Sequence, residues 1–239
     1  MTKRRLDQSL LKQGVVPTRS QAENYIKLGH VKVNGKVITK PGHAVSETDN
    51  VELTATEQYV SRAGLKLASV ARALKLDFTD KVVLDVGSST GGFTDYALRN
   101  GARKVIAVDV GTDQLHPSLH GNPQIELHEK TDIRDFTTDE AIDIVVADVS
   151  FISLREILPS VVKLSAKRTQ IVVMVKPQFE AGQSSLKHKG VIKNDKMRRD
   201  ILKDFETWAR GYFIILDKAD SEVSGSKGNQ ERFYLLQKT

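Results

Sequence analysis

The sequence predicts an α/β protein in which a mostly parallel, doubly wound sheet follows a small, basic α+β module. Three observations predict it. Strand and helix patterns alternate from Ser61 onward. A glycine-rich turn links the first of those strands to a helix. Positive charge is concentrated at the start of the chain. The 239 residues suit one or two domains, and 39% apolar with 28% charged residues is the composition of a folded chain. Cysteine is absent, which excludes a disulfide framework, a thiolate metal site and a cysteine nucleophile, and matches a reducing cytoplasm. The apolar runs, such as residues 171–175, are far shorter than the ~20 residues of a membrane-spanning helix. No apolar stretch follows the basic MTKRRLDQ start, so it does not read as a secretory signal.

Residues 1–45 hold nine Lys or Arg against two acids, a larger excess than the whole chain's net charge of +6. A basic module joined to a near-neutral remainder is the pattern of a nucleic-acid-binding appendage on an enzyme; the alternative is a lysine-rich soluble surface. Leu6, Leu10 and Leu11 fall on one face of a short helix that Gly14 can end. Thr18 and Gln21, after Pro17, read as a capping box for a second helix, which stops at Gly29. Val31 and Val33 alternate with Lys32, Asn34-Gly35 supplies a type I′ turn, and Lys36-Val37-Ile38 returns as the second strand of a hairpin. The candidate phosphate contacts are Arg4, Arg5, Arg19, Lys27, Lys32, Lys36 and Lys40. The stretch RLDQSLLKQGVVPTRSQAENYIKLGHVKVNGKVITKPGHAV resembles the S4-type RNA-binding domain. That resemblance implies RNA, above DNA or a membrane, as the partner.

The second module is expected to open with a helix over residues 61–76, with Leu65, Ala68, Ala71 and Leu74 on one side. Strands follow at 81–86, 104–109, 125–129, 142–148, 170–176, 212–217 and 232–237, with helices at 90–99, 154–164 and 195–210. Residues 178–193 and 221–229 read as long loops. The predicted division is 1–57 and 58–239, with a hinge around 54–58.

The turn after the first strand, Val83-Leu-Asp-Val-Gly-Ser-Ser-Thr-Gly-Gly-Phe-Thr94, has the spacing G-x-x-x-G-G rather than the G-x-G-x-x-G of dinucleotide sites. Gly87, Gly91 and Gly92 allow close backbone approach to a nucleoside-like ligand. A pyrophosphate favours a bare helix N-terminus, whereas an acid at the strand end, Asp85, favours a ligand bearing an amine. S-adenosylmethionine has that amine and no phosphate. Asp109 ends the second strand, where a carboxylate meets ribose hydroxyls, and Asp132 follows the third, placed for an adenine amino group. Ser88, Thr90 and Phe93 complete the candidate cofactor set. Each acid taken alone reads equally as a cap or a solvated loop residue; their recurrence at three strand ends favours a cofactor.

Two further apolar strands end in charge, at Asp148 and at Lys176. Ligand crevices of open α/β sheets lie at the carboxyl ends of strands, so both are expected to face the reacting methyl group. A neighbouring carboxylate favours the charged form of a lysine and burial disfavours it, opposed effects that suit proton transfer from a hydroxyl. Lys66 lies on what reads as the polar side of its helix, and Glu231 begins the last strand. Taken singly, each reads equally as part of a solvent-facing salt bridge. No His, Asp or Glu cluster has metal-site spacing. Lys187-His188-Lys189 reads either as a phosphate contact or as a solvated loop.

With VSRAGLKL, LDVGSSTGGFTD, VVADVSFISL, VMVKPQFEAG and a late Gly-Asn-Gln-Glu, the whole chain resembles the TlyA (hemolysin-like) family of ribosomal RNA ribose methyltransferases. The catalytic domain of that family is similar to the FtsJ-like 2′-O-methyltransferases. The resemblance implies a Rossmann-like sheet, S-adenosyl-L-methionine as cofactor, and a Lys-Asp-Lys-Glu tetrad at Lys66, Asp148, Lys176 and Glu231. It implies methylation of cytidine 2′-hydroxyls in bacterial rRNA or ribosomal subunits, in the cytoplasm, with neither membrane nor DNA as partner. The compact ends lean toward the large subunit alone. The rival readings are a small-molecule methyltransferase, a non-catalytic RNA-binding or assembly factor, and a membrane-lytic protein.

Overall fold

The computed structural model describes residues 3–16, 18–54, 59–182, 191–192, 194–225 and 228–239. Pro17, the expected boundary between residues 57 and 58, and the Lys187-His188-Lys189 run lie outside them. The chain divides into two compact units, Met1–Arg62 and Ala63–Thr239.

The first unit begins with a two-residue strand, β1 (Arg4–Arg5), and a short helix, α1 (Leu6–Lys12). Leu6 and Leu10 are fully buried, but Leu11 is exposed, because the narrow core face of so short a helix admits only the i, i+4 pair. Gly14 closes the turn with a positive φ. Helix α2 (Arg19–Lys27) starts at Thr18, whose hydroxyl accepts from the Gln21 N–H, half of the predicted capping box. The Gln21 amide reaches instead to the Tyr59 carbonyl. Strands β2 (Val31–Val33) and β3 (Lys36–Val37) form the predicted hairpin, with Asn34 and Gly35 both at positive φ. Three strands escaped the sequence pattern: β1, β4 (Ala44–Val45), which pairs with it, and β5 (Val51–Leu53), which pairs with β2.

Helix α3 (Arg62–Ala71) begins at the last residue of the first unit and belongs otherwise to the second; it is shorter than expected because the chain leaves helical geometry by Lys75, at φ 52°. The seven-stranded sheet of the second unit contains β6 (Val82–Val86), β7 (Lys104–Val108), β8 (Ile125–His128), β9 (Ile144–Ala147), β10 (Gln170–Val175), β11 (Phe213–Asp220) and β12 (Arg232–Lys238). The spatial order is β11-β12-β10-β9-β6-β7-β8. Strands β8, β7, β6, β9 and β10 are mutually parallel, and β12 runs antiparallel between β10 and β11. The central strands are apolar along most of their length, Asp85 of β6 apart, because helices cover both faces. These helices are α4 (Gly92–Arg99), α5 (Leu154–Leu164), the four-residue α6 (Pro177–Glu180) and α7 (Asp195–Ala209). One side of the core packs Leu84, Val145 and Val173 against Leu158 and Phe205. The strand order reverses at β6, whose neighbours are β7 and β9. That is where such sheets open a ligand crevice.

Candidate active site

At the reversal, the turn from β6 into α4 passes close under the end of β9. Gly87 has φ 78°, and a Cβ there would lie 3.1 Å from the Asp148 carbonyl oxygen. Gly91, at φ 84°, would drive a side chain into Leu115 and Leu119. Both glycines are therefore demanded by conformation and by space. Gly92 is helical, the first residue of α4, so its predicted turn role does not hold.

A cleft of about 360 Å³, within the usual range for small-ligand sites, opens along the ends of β6, β7 and β9; Gly87, Asp109, Asp132 and Asp148 line it. A smaller recess of about 130 Å³ adjoins it, shares Gly87, Ser89, Asp148 and Ser150, and reaches Asp85, Ser88, Thr90, Phe93 and Lys176. Asp85 is fully buried and accepts a 2.6 Å hydrogen bond from Thr94. Burial pushes its carboxyl up to about 7, the Thr94 bond opposes this, and the charge of Asp148 adds to it. Oδ1 of Asp85 and Oγ of Ser88 are buried without a hydrogen-bond partner. A buried acceptor with no donor is costly in isolation and suits a cationic ligand. Asp109 accepts from the N–H groups of Ser89 (2.8 Å) and Gly111 (2.7 Å), which fixes its carboxylate at the rim. Asp132 lines the cleft, but Arg134 grips both its oxygens; those hydrogen bonds hold its carboxyl below the usual range. The adenine contact expected of Asp132 therefore competes with an internal partner.

Of two largely buried ion pairs, the first lines the recess. Nζ of Lys176 lies 2.6 Å from Oδ1 of Asp148 and donates to Oγ of Ser150 at 2.7 Å. Lys66 pairs with Glu231, and both are buried. The reading of Lys66 as a polar-face residue is corrected here, since helix α3 turns it inward to meet an acid from the far end of the chain. Ladder pairing sets Val175 opposite Arg232, so the next step of the register brings Lys176 alongside Glu231. Sequence reasoning missed Ser150, and it missed Glu180, whose carboxylate accepts from Ser153 Oγ (2.6 Å) and Leu154 N–H (2.7 Å). The resemblance motifs contained both without assigning either a task.

In the first unit Asp7 is buried and accepts from Arg5 and Arg19. Burial works against its ionisation, but these bonds prevail and hold its carboxyl at about 2. Arg5 and Arg19 are thus half-committed to the fold, whereas Lys27, Lys36 and Lys40 are exposed and Lys32 is half-buried. Among the described residues no helix is long and apolar enough to cross a membrane, and no three His, Asp or Glu side chains gather as a metal site.

The model of the FtsJ-like methyltransferase family matches residues 59–238, and that of the S4 domain matches residues 4–51. The 23S rRNA (cytidine-2′-O)-methyltransferase TlyA of Campylobacter jejuni is 42% identical over 190 residues, 78% of this chain and 74% of that protein. The 16S/23S rRNA (cytidine-2′-O)-methyltransferase TlyA of Mycobacterium tuberculosis is 36% identical over 97% of this chain and 89% of its own length. A solved structure of a hemolysin-designated protein from Streptococcus thermophilus superposes with a TM-score of 0.73 at 36% identity, covering 100% of this chain and 90% of that one. An FtsJ-like domain of this kind implies S-adenosylmethionine, and the unpartnered Asp85 oxygen in a recess beside a nucleoside-sized cleft fits such a ligand. On these grounds the chain belongs to the TlyA family of FtsJ-like methyltransferases with an N-terminal S4 domain.

Proposed function

We propose that the protein methylates cytidine 2′-hydroxyls of bacterial ribosomal RNA in the cytoplasm, with residues 1–57 as the RNA-binding module and 58–239 as the catalytic one. The observation that supports this most is the Lys176–Asp148 pair, 2.6 Å apart at adjacent strand ends on the edge of the recess. S-adenosylmethionine, when bound, supplies an electrophilic methyl group on its sulfonium. Asp85, the turn through Gly87, Ser88, Thr90 and Gly91, and the start of α4 at Gly92 and Phe93 would hold its amino-acid end, with Asp109 at the ribose and Asp132 on the adenine side. Nζ of Lys176, in its neutral form, accepts the proton of the ribose hydroxyl, and Asp148 and Ser150 keep that nitrogen aimed. Lys66 and Glu231 supply fixed charge beside them. A sugar hydroxyl is a weak nucleophile at neutral pH, so alignment and deprotonation account for most of the acceleration. Arg4, Arg5, Arg19, Lys27, Lys32, Lys36 and Lys40 meet RNA phosphates, with Arg5 and Arg19 doing so on their solvent side.

The test is incubation of the full chain with methyl-labelled S-adenosylmethionine and each ribosomal subunit from an unmodified strain, followed by mapping. Label on a cytidine ribose of rRNA is expected. Label on a base, or none on either subunit, overturns the proposal.

A further inference from the structure

We infer that Glu180 is a positioning residue for methyl transfer, a clamp that fastens the loop bearing Asp148 to the loop bearing Lys176. The inference rests on the proposed role of Lys176. Asp148 begins the connection from β9 to α5, and Lys176 begins the connection from β10 through α6. The two connections touch at one end through Lys176, which meets both Asp148 and Ser150. They touch at the other end through Glu180, whose two oxygens engage Ser153 and Leu154. The segment between is a closed frame with the reacting nitrogen on one side of it.

The frame needs its far fastening. Phe151 sits inside it at φ 67°, a left-handed conformation that a bulky residue adopts only when its surroundings impose it. The residue is 92% exposed, so burial does not supply that constraint. One face meets Phe179, with centroids 5.3 Å apart, and Phe179 in turn lies 5.9 Å below the Lys176 ammonium. Glu180 closes the segment at the N-terminus of α5, where a carboxylate is favoured by the helix dipole and by an otherwise free N–H. Ser153 relays the link: its hydroxyl donates to Glu180 and its oxygen accepts from Arg155 N–H. The Glu180 side chain is only 1% exposed, so water cannot replace these bonds without opening the frame. Glu180 touches neither the cleft nor the recess, which separates it from the groups that meet substrate.

The decisive experiment measures kcat and KM of the full chain on ribosomal subunits from an unmodified strain. Glu180→Ala should lower kcat by about 10²-fold, the cost of displacing a reacting group by roughly an ångström, with KM for S-adenosylmethionine nearly unchanged. Glu180→Gln, which keeps an acceptor for Leu154 N–H and a polar partner for Ser153, should recover most of the rate. Ser153→Ala combined with Glu180→Ala should be non-additive in kcat, because both act through one link. If Glu180→Ala does not fold, Ser153→Ala decides the matter: it removes one of the two bonds to Glu180 and should lower kcat with KM for S-adenosylmethionine nearly unchanged. A folded Glu180→Ala with the parental kcat, or strictly additive pairs, overturns the clamp and leaves the functional proposal standing. Loss of all rRNA methylation by the parent protein would instead overturn the functional proposal, and the clamp with it.

Discussion

Lys176 and Asp148 meet at 2.6 Å across the ends of neighbouring parallel strands, β10 and β9, directly above the turn that Gly87 makes possible. A lysine nitrogen held so near a carboxylate is oriented before any substrate arrives, and that pre-orientation is what a proton acceptor requires.

Replacing Lys176 by Ala should lower methyl transfer to rRNA by about 10³-fold, the usual span of a lost acid–base group. Cofactor affinity, followed by calorimetry, should change little. Lys176→Arg should not restore activity, because a guanidinium does not release its proton near neutrality. A Lys176→Ala enzyme with ordinary turnover would remove the proposed chemistry.

The Lys66–Glu231 pair is buried, so its two halves should be unequal to their sum. Glu231→Ala strands a buried ammonium and should cost about 3–5 kcal/mol in chemical denaturation. Lys66→Met together with Glu231→Leu should regain most of that stability and still lack activity. Recovery of methylation in the double variant would show the pair to be structural only.

Asp85 sets a pH dependence. Its carboxyl titrates near 7 in the folded protein and near 3.8 in the unfolded chain, so the folded state binds more protons between those values. Stability therefore falls as pH rises through that window, by about 4 kcal/mol if the whole shift is expressed. Asp85→Asn should melt higher than the parent at pH 8 and close to it at pH 4, while losing affinity for S-adenosylmethionine. Equal melting shifts at both pH values would show that the carboxyl is not held protonated by burial.

Cations of the first unit should separate into two groups. Lys36→Ala and Lys40→Ala should weaken rRNA binding and lower the slope of log affinity against log salt by about 1 each, with unchanged melting. Arg19→Ala should in addition destabilise the unit by about 1–2 kcal/mol, since it removes a partner of buried Asp7 and the pair is partly screened at its exposed end. A salt slope near zero in the parent protein would contradict phosphate contacts altogether.

The parallel strands were legible because strands covered on both faces must be apolar throughout, as at residues 144–147 and 171–175. Their charged ends stood out against that background, which is why Asp85, Asp148 and Lys176 were named from sequence. Strands β1, β4 and β5 were illegible: two or three residues carry no period, and each is held by backbone bonds to a distant segment. Lys66 was misplaced because helical periodicity assigns a lysine to water unless its partner is known. That partner, Glu231, arrives from the opposite end of the chain. Glu180 was hidden for the same reason, because its bonds to Ser153 and Leu154 cross between two strand ends.

Strand β12 reverses the direction of its sheet, and this has an architectural consequence. The start of β12 and the end of β10 meet at the same rim, although one opens its strand and the other closes it. Insertions beyond either end would change the surroundings of Lys176 without breaking one ladder bond. The scaffold thus separates what it modifies from how it stands, and grafting new connections at those two places is the direct route to redirecting the enzyme toward other polynucleotides.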